Sequence, residues 1–255
     1  MKGIRGKQMI RVTLLGIMSF FLMGEMAQGA GLSYNENFVV FADNQLMSDK
    51  IIKQADIHRE VLSTRWLGKS LAQGQGRTTI HFRLDPTEEY GRTWRVNNTN
   101  YKTHTIWITG NDLNIDYLLK HELLHAVFAT KYGDERFPEW IEEGIASRYD
   151  NGTKRLARVA AKKEIFRTGK WPSSKSLFGL NTINCENYIV YACLNGATDY
   201  LLNISKKDHA KLIRFGIDSK LGGIDKALNK YYNINNQEDF LKLVIKHMYD
   251  NREPK

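Results

Sequence analysis

The sequence predicts an α+β fold, and three observations support this class. Segments rich in β-branched and aromatic residues, which favour strands, fall before residue 112. Beyond that point the apolar residues follow helical spacing. The chain has 255 residues, of which 42% are hydrophobic and 25% charged, as is ordinary for a folded globular protein. We therefore predict a single domain over residues 30–255, with a sheet-bearing half at 30–112 and a helical half at 113–255.

The first half predicts a small sheet with one packed helix, in the order β-α-β-β. The predicted elements are a strand at 37–43, a helix at 45–68 that ends at Gly68, and strands at 77–84 and 103–110. Turn signals at Pro86 and Gly91 separate the last two strands. A helical period then begins near Ile115, and the residues after Gly152 predict four or five more helices.

Residues 1–29 have the features of a secretory signal peptide. Basic side chains precede the apolar run 12–24, and the small residues Ala27 and Gly29 follow it. The run is shorter than the roughly 20 residues that a transmembrane helix needs. We expect cleavage after Gly29, no stable membrane insertion afterwards, and an exported protein that is periplasmic, surface-bound or secreted. The alternative is an uncleaved anchor.

Charge and cysteine content set weaker bounds on function. The formal net charge is +9; residues 1–29 hold four basic side chains and one acidic side chain, which leaves +6 for residues 30–255. The basic segment 153–170 contains no known nucleic-acid-binding motif, so we predict a solvated helix face and no nucleic-acid partner. The chain has two cysteines, Cys185 and Cys193, and an exported protein could keep them as a disulfide. Their spacing does not establish the geometry that a bridge requires, so the sequence does not decide whether they are bonded.

The segment HELLH, residues 121–125, carries the strongest functional signal. On a helix, His121 and His125 lie four residues apart on one face, where both rings can reach a single ion. Glu122 is then placed to take a proton from a metal-activated water. The flanking residues are apolar, and burying unpaired histidines and a carboxylate there would be costly. Metal coordination removes that cost, so we predict that this helix binds Zn²⁺.

The second helix of the site is predicted within FPEWIEEGIASRYD, residues 137–150. A catalytic zinc site usually has three protein ligands and one open position, and a carboxylate would complete the set. Glu139 and Glu143 share one helical face, whereas Glu142 points about 100° away from Glu143. Helical geometry alone leaves the choice among these three carboxylates open.

The paired motifs resemble the gluzincin, or peptidase MA-like, superfamily of zinc metallopeptidases. HELLH is followed by WIEEGIA, with 17 residues between His125 and Glu143, and this segment is similar to the second motif of that family, W-L-x-E-G-x-A. The resemblance covers about residues 100–250, although it is loose beyond residue 188. It implies a peptidase in which His121, His125 and Glu143 hold zinc and Glu122 is the general base.

The resemblance also implies roles for residues outside the two motifs. In gluzincins a downstream Tyr or His often stabilises the oxyanion; Tyr191 is our candidate here, with Tyr188 beside it. The family's edge strand binds extended substrate by strand addition, a role that we assign to 103–110. Ser147 stands where thermolysin-like members have an orienting aspartate. Asp150, seven residues after Glu143, either takes that role or is a solvated carboxylate at a helix end.

The sequence therefore predicts an exported zinc-dependent peptidase that hydrolyses bonds in a peptide or protein substrate. The alternative is a non-catalytic, zinc-stabilised binding domain with the same fold. A basic surface-binding protein with an accidental HELLH is a third interpretation, which metal analysis would test. Substrate specificity and oligomeric state stay open.

Overall fold

The structure is a computed structural model that describes residues 30–97, 102–133, 137–179 and 187–251. The predicted signal peptide and Cys185 lie outside these ranges. The N-terminal half consists of the elements β1 Gly31–Tyr34, β2 Phe38–Ala42, α1 Gln45–Leu67, β3 Arg77–Leu84, β4 Tyr90–Asn97 and β5 Lys102–Gly110. The sequence predicts β2, α1, β3 and β5 to within one residue at each end. It misses β1 and β4, and Gly91, taken as a turn, lies within β4.

The strands form one mixed five-stranded sheet in the order β1-β2-β3-β5-β4. The pairs β2–β3 and β3–β5 are parallel, whereas β1 and β4 pair antiparallel at the two edges. The sequence assigns the edge position to 103–110, and this is wrong: β5 lies between β3 and β4. Because β4 folds back along the side of β5, it takes the edge that β5 would otherwise have.

One face of the sheet is the core face, and the other is open in the described part of the chain. Val40, Ile80 and Ile106 are in register across three strands and fully buried. Helix α1 packs against β1 and β2 on this face. On the opposite face Phe41, His81 and Trp107 form a stacked row.

The C-terminal half is helical throughout its described residues. Its α-helices are α2 Ile115–Tyr132, α3 Glu139–Ala146, α4 Gly152–Thr168, α5 Ser174–Phe178, α6 Tyr188–Ile204, α7 His209–Gly222, α8 Ile224–Tyr232 and α9 Gln237–Asp250. A short 3-10 helix, Ser147–Tyr149, follows α3. Six described helices begin at or after Gly152, rather than the predicted four or five. The five-residue α5 is too short to show a helical period. The α+β class, with its sheet first and helices after it, is confirmed.

Packing fixes the two helices that carry the HELLH and WIEEGIA motifs. Helix α2 packs against β4, β5 and α3. Trp140 of α3 is 2% exposed, and its ring meets those of Phe178, Phe215 and Phe240 at centroid distances of 5.0–6.1 Å. The site therefore lies between the sheet and the helical core. Within the described ranges, none of the helices is long and apolar enough to cross a membrane.

Candidate metal centre

The structure brings His121, His125 and Glu143 together as one buried group. His125 Nε2 lies 3.4 Å from Glu143 Oε1, and His121 Nε2 lies 3.7 Å from Glu143 Oε2. One nitrogen or oxygen of each residue lies within 4.8 Å of the others, which is close enough to hold a single metal ion. The two histidines come from α2 and the carboxylate from α3, as predicted from helical spacing and the resemblance.

Glu143 supplies the clearest evidence that the group suits a cation. Its Oε2 atom is buried and makes no hydrogen bond with any described residue. A buried oxygen of this kind ordinarily has a partner. Burial by itself raises the pKa of the Glu143 carboxyl, but the charges of His125 and His121 outweigh it and hold the pKa below its usual range. Glu143 is therefore an anion aimed at the two histidine nitrogens.

A glycine allows α3 to carry Glu143 to this position. A Cβ atom at Gly144 would lie 2.6 Å from the carbonyl oxygen of Leu194 and 2.5 Å from a side-chain carbon of Thr198. Both neighbours belong to α6, which packs against α3. The close approach of the two helices thus requires glycine next to Glu143.

Both histidines are oriented through Nδ1, which leaves Nε2 facing Glu143. His121 Nδ1 lies 2.7 Å from Asp150 Oδ1, and His125 Nδ1 lies 2.8 Å from Glu142 Oε1. A protonated Nδ1 can donate to each carboxylate, and such bonds set the ring orientation of histidine ligands. Asp150 is 9% exposed, so it is the orienting carboxylate that the sequence left open, and not a solvated helix end.

Each of these carboxylates also has an arginine partner. Arg95 Nη2 of β4 lies 2.7 Å from Glu142 Oε1, and Arg158 of α4 bonds Asp150. The arginines balance the charge of two carboxylates that would otherwise be buried without compensation. Arg158 shows that the basic face of α4 is not wholly solvated, since its side chain is 12% exposed.

Glu122 lies beside the metal-binding group but points to β4. Its carboxylate is 3% exposed, and its Oε2 accepts a hydrogen bond of 2.7 Å from the Thr93 hydroxyl. Glu122 directly follows His121 in the chain and is not part of the three-residue metal group. Its environment is thus compatible with an acid-base role beside the group rather than a ligand role within it.

Sequence reasoning missed Thr93 and Arg95, which both lie on β4. One signal for this strand was present in the segment YGRTWRV, where Tyr, Thr, Trp and Val all favour strands. Gly91, within this segment, was instead interpreted as a turn residue. A third residue that sequence reasoning did not single out is Tyr117, four residues before His121 on the same helix. Burial and the nearby Glu89 carboxylate raise the pKa of Tyr117, so it stays a neutral hydroxyl.

The two tyrosine candidates lie on α6. Tyr191 is half-buried on α6 and packs against the hydrophobic core, so its role as oxyanion partner stays a prediction. Tyr188, at the start of α6, is 38% exposed. His104, which strand composition alone would allow at the surface, is 1% exposed and lies on the core face of β5. Cys193 is buried, and burial raises the pKa of its thiol to about 12.

No protein-family model, curated protein or solved structure matches this chain. The resemblance to gluzincins therefore rests on the two motifs and on the arrangement of their residues.

Proposed function

We propose that this protein is an exported zinc-dependent peptidase of the gluzincin type. The observation that carries the proposal is the buried His121, His125 and Glu143 group with Glu122 next to it. Ligands of a tetrahedral zinc ion, at bond lengths of about 2.0–2.1 Å, lie roughly 3.3 Å apart. The separations of 3.4 Å from His125 Nε2 to Glu143 Oε1 and 3.7 Å from His121 Nε2 to Glu143 Oε2 involve the two oxygens of one carboxylate and are of this order.

A bound zinc ion would lower the pKa of a water molecule and polarise a substrate carbonyl. The chain's own residues supply the remaining steps. Glu122 would accept the proton of the attacking water and deliver it to the leaving amine. Asp150 and Glu142 hold the imidazole rings in place through Nδ1, so that the Nε2 atoms stay directed at the site. The buried setting of these groups strengthens their electrostatic interactions.

The substrate is proposed to be a peptide or protein, since the motif resemblance points to peptide bonds. Tyr191 and Tyr117 are both candidates for the group that stabilises the oxyanion. Tyr117 lies one turn before His121 on α2. Export is proposed from residues 1–29, and mass spectrometry of the mature N-terminus should show a chain that begins at Ala30.

The test of the proposal is metal analysis together with hydrolysis of a broad peptide library, comparing the protein with Glu122→Gln. The variant should keep about one zinc per chain, because Glu122 is not a ligand in this proposal. Hydrolysis should fall by roughly 10²–10⁴-fold, the usual effect of losing a general base. Glu164→Gln, which makes the same change on the exposed face of α4, should leave both readouts unchanged.

Three outcomes would contradict the proposal in different ways. A protein without zinc, even after supplementation, would remove the metal site. Loss of zinc in Glu122→Gln would make Glu122 a structural residue. Full zinc content with no cleavage of any peptide would support the non-catalytic binding domain instead.

A further inference from the structure

Strand β4 contacts the metal-binding helix through alternate residues. Because side chains alternate across a strand, Gly91, Thr93 and Arg95 face α2. Thr93 bonds Glu122, and Arg95 bonds Glu142, the partner of His125. Trp94, between them, is 57% exposed on the opposite face. The inward face of this edge strand is therefore built around the site residues.

Thr93 fixes one oxygen of the Glu122 carboxylate. Its Oγ1 lies 2.7 Å from Glu122 Oε2 and 2.9 Å from the backbone oxygen of the same residue. A hydroxyl has one hydrogen to donate, and a bond to an ionised carboxylate is stronger than a bond to a neutral carbonyl. The Thr93 hydroxyl thus holds the carboxylate through its Oε2 atom.

Gly91 leaves the space that the same carboxylate occupies. A Cβ atom at Gly91 would lie 2.6 Å from Glu122 Oε1, 2.9 Å from its Cγ and 3.1 Å from its Cδ. All three contacts are with the end of one flexible side chain and none is with backbone. A larger residue at Gly91 would therefore displace Glu122 and leave the strand itself in place.

We infer that Thr93 is a positioning residue for Glu122, and that the absence of a side chain at Gly91 is required for the same purpose. The inference rests on the proposed function, because it assigns Glu122 the role of general base. A glutamate has three rotatable side-chain bonds, and a general base must lie within hydrogen-bond reach of the proton that it takes. Thr93 and Gly91 together restrict Glu122 to one position beside the histidines.

The first experiment compares Thr93→Val with Thr93→Ser in the full protein. Valine keeps the branched shape but removes the hydroxyl, and serine retains it. Thr93→Val should lower kcat roughly 10- to 100-fold, as expected for loss of a bond to a charged group, with KM changed less than about twofold. Thr93→Ser should restore most of kcat. Thr105→Val, the same change on the outward face of β5, is the control and should have no effect.

The second experiment combines Thr93→Val with Glu122→Gln. If Thr93 acts through Glu122, it should add little to the loss caused by Glu122→Gln alone, since residues that act as a unit are not additive. Equal losses in both backgrounds would overturn the inference and indicate a merely structural role. An unchanged kcat in Thr93→Val would overturn it as well.

A third measurement separates this inference from the proposed function. Crystal structures of Thr93→Val and Gly91→Ala should show the Glu122 carboxylate displaced from its position against β4, with the zinc content unchanged. Glu122 in its original position in both variants would overturn the inference, even if Glu122→Gln were inactive. If no form of the protein cleaves any peptide, the peptidase proposal fails, and these structures still decide whether Thr93 and Gly91 position Glu122. Gly91→Ala also provides the test if Thr93→Val does not fold.

Discussion

Replacing Asp150 by Asn tests how the protein holds the His121 ring. The Asp150 Oδ1 atom lies 2.7 Å from His121 Nδ1, and the residue is 9% exposed, so little water competes for this bond. Asparagine keeps the shape and one acceptor oxygen but removes the negative charge. A bond of this charged kind contributes about 1.5–3 kcal/mol. Loss of a partner of a metal-binding histidine typically lowers metal affinity by about 10–100-fold. This corresponds to about 1.4–2.7 kcal/mol and agrees with that range.

A second effect of the same substitution acts in the opposite direction. Burial alone lowers the pKa of His121, but the charge of Asp150 outweighs it and raises the pKa above its ordinary value. A proton on Nε2 excludes a metal ion, so the affinity of the native protein should fall as the pH falls below this raised pKa. Asp150→Asn weakens that competition. The affinity ratio between native protein and variant should therefore be largest at high pH and should shrink as the pH falls.

The assay is competition for zinc with a chelator of known affinity, repeated between about pH 6 and pH 9. Asp116→Asn is the matched control, because Asp116 also bonds a histidine, His58, at 2.8 Å without belonging to the metal group. The control should retain the native affinity. Since Asp150→Asn leaves Arg158 without its partner, a double variant with Arg158→Gln separates ring orientation from the cost of the unpaired cation. Unchanged affinity at every pH in both variants would refute the orienting role of Asp150.

Two further predictions concern the carboxylate ligand and the core face of the sheet. Glu143→Ala should lower zinc affinity by far more than 100-fold, whereas Glu142→Ala should lower it by about 10–100-fold. Glu139→Ala, at a half-buried position, should lower it least. Competition with a chelator ranks the three variants. A larger loss in Glu139→Ala than in Glu143→Ala would contradict the assignment. Burial lowers the pKa of His104 from 6.5 to about 4, so the unfolded chain takes up this proton first as the pH falls. The free energy of unfolding, measured with urea, should decrease by about 3 kcal/mol between pH 6.5 and pH 4. His104→Gln should remove this part of the pH dependence. An equal slope of unfolding free energy against pH in the two proteins would contradict the prediction.

The environment of His104 gives the physical reason for the last expectation. Thr130 donates its hydroxyl hydrogen to the Ala126 carbonyl at 2.7 Å, so it can only accept from His104 Nε2 at 2.9 Å. His104 Nδ1 is then buried, unprotonated and without a hydrogen-bond partner among the described residues. A proton added there would create a buried cation near Arg95 and Lys102, both of which lower the pKa further.

The sequence by itself determined those features that depend on local geometry. Strong apolar periodicity places α1 and α2, and β-branched residues place β3 and β5. The two histidines share a face because a helix repeats every 3.6 residues, whatever packs around it. Motif resemblance then selected Glu143 from three carboxylates that helical spacing left open. None of these steps requires contacts between distant parts of the chain.

Only the tertiary structure decided which residues surround the metal-binding group. Arg95 lies 47 residues before its partner Glu142, and Asp150 lies 29 residues after His121. Such pairs have no local signature, since they form only when β4 and the segment after α3 pack against α2. The same holds for the edge of the sheet: β5 is a strand by composition, but its inner position depends on β4 folding back beside it. Helical and strand periods set which side chains share a face, whereas packing between distant segments sets what each face meets.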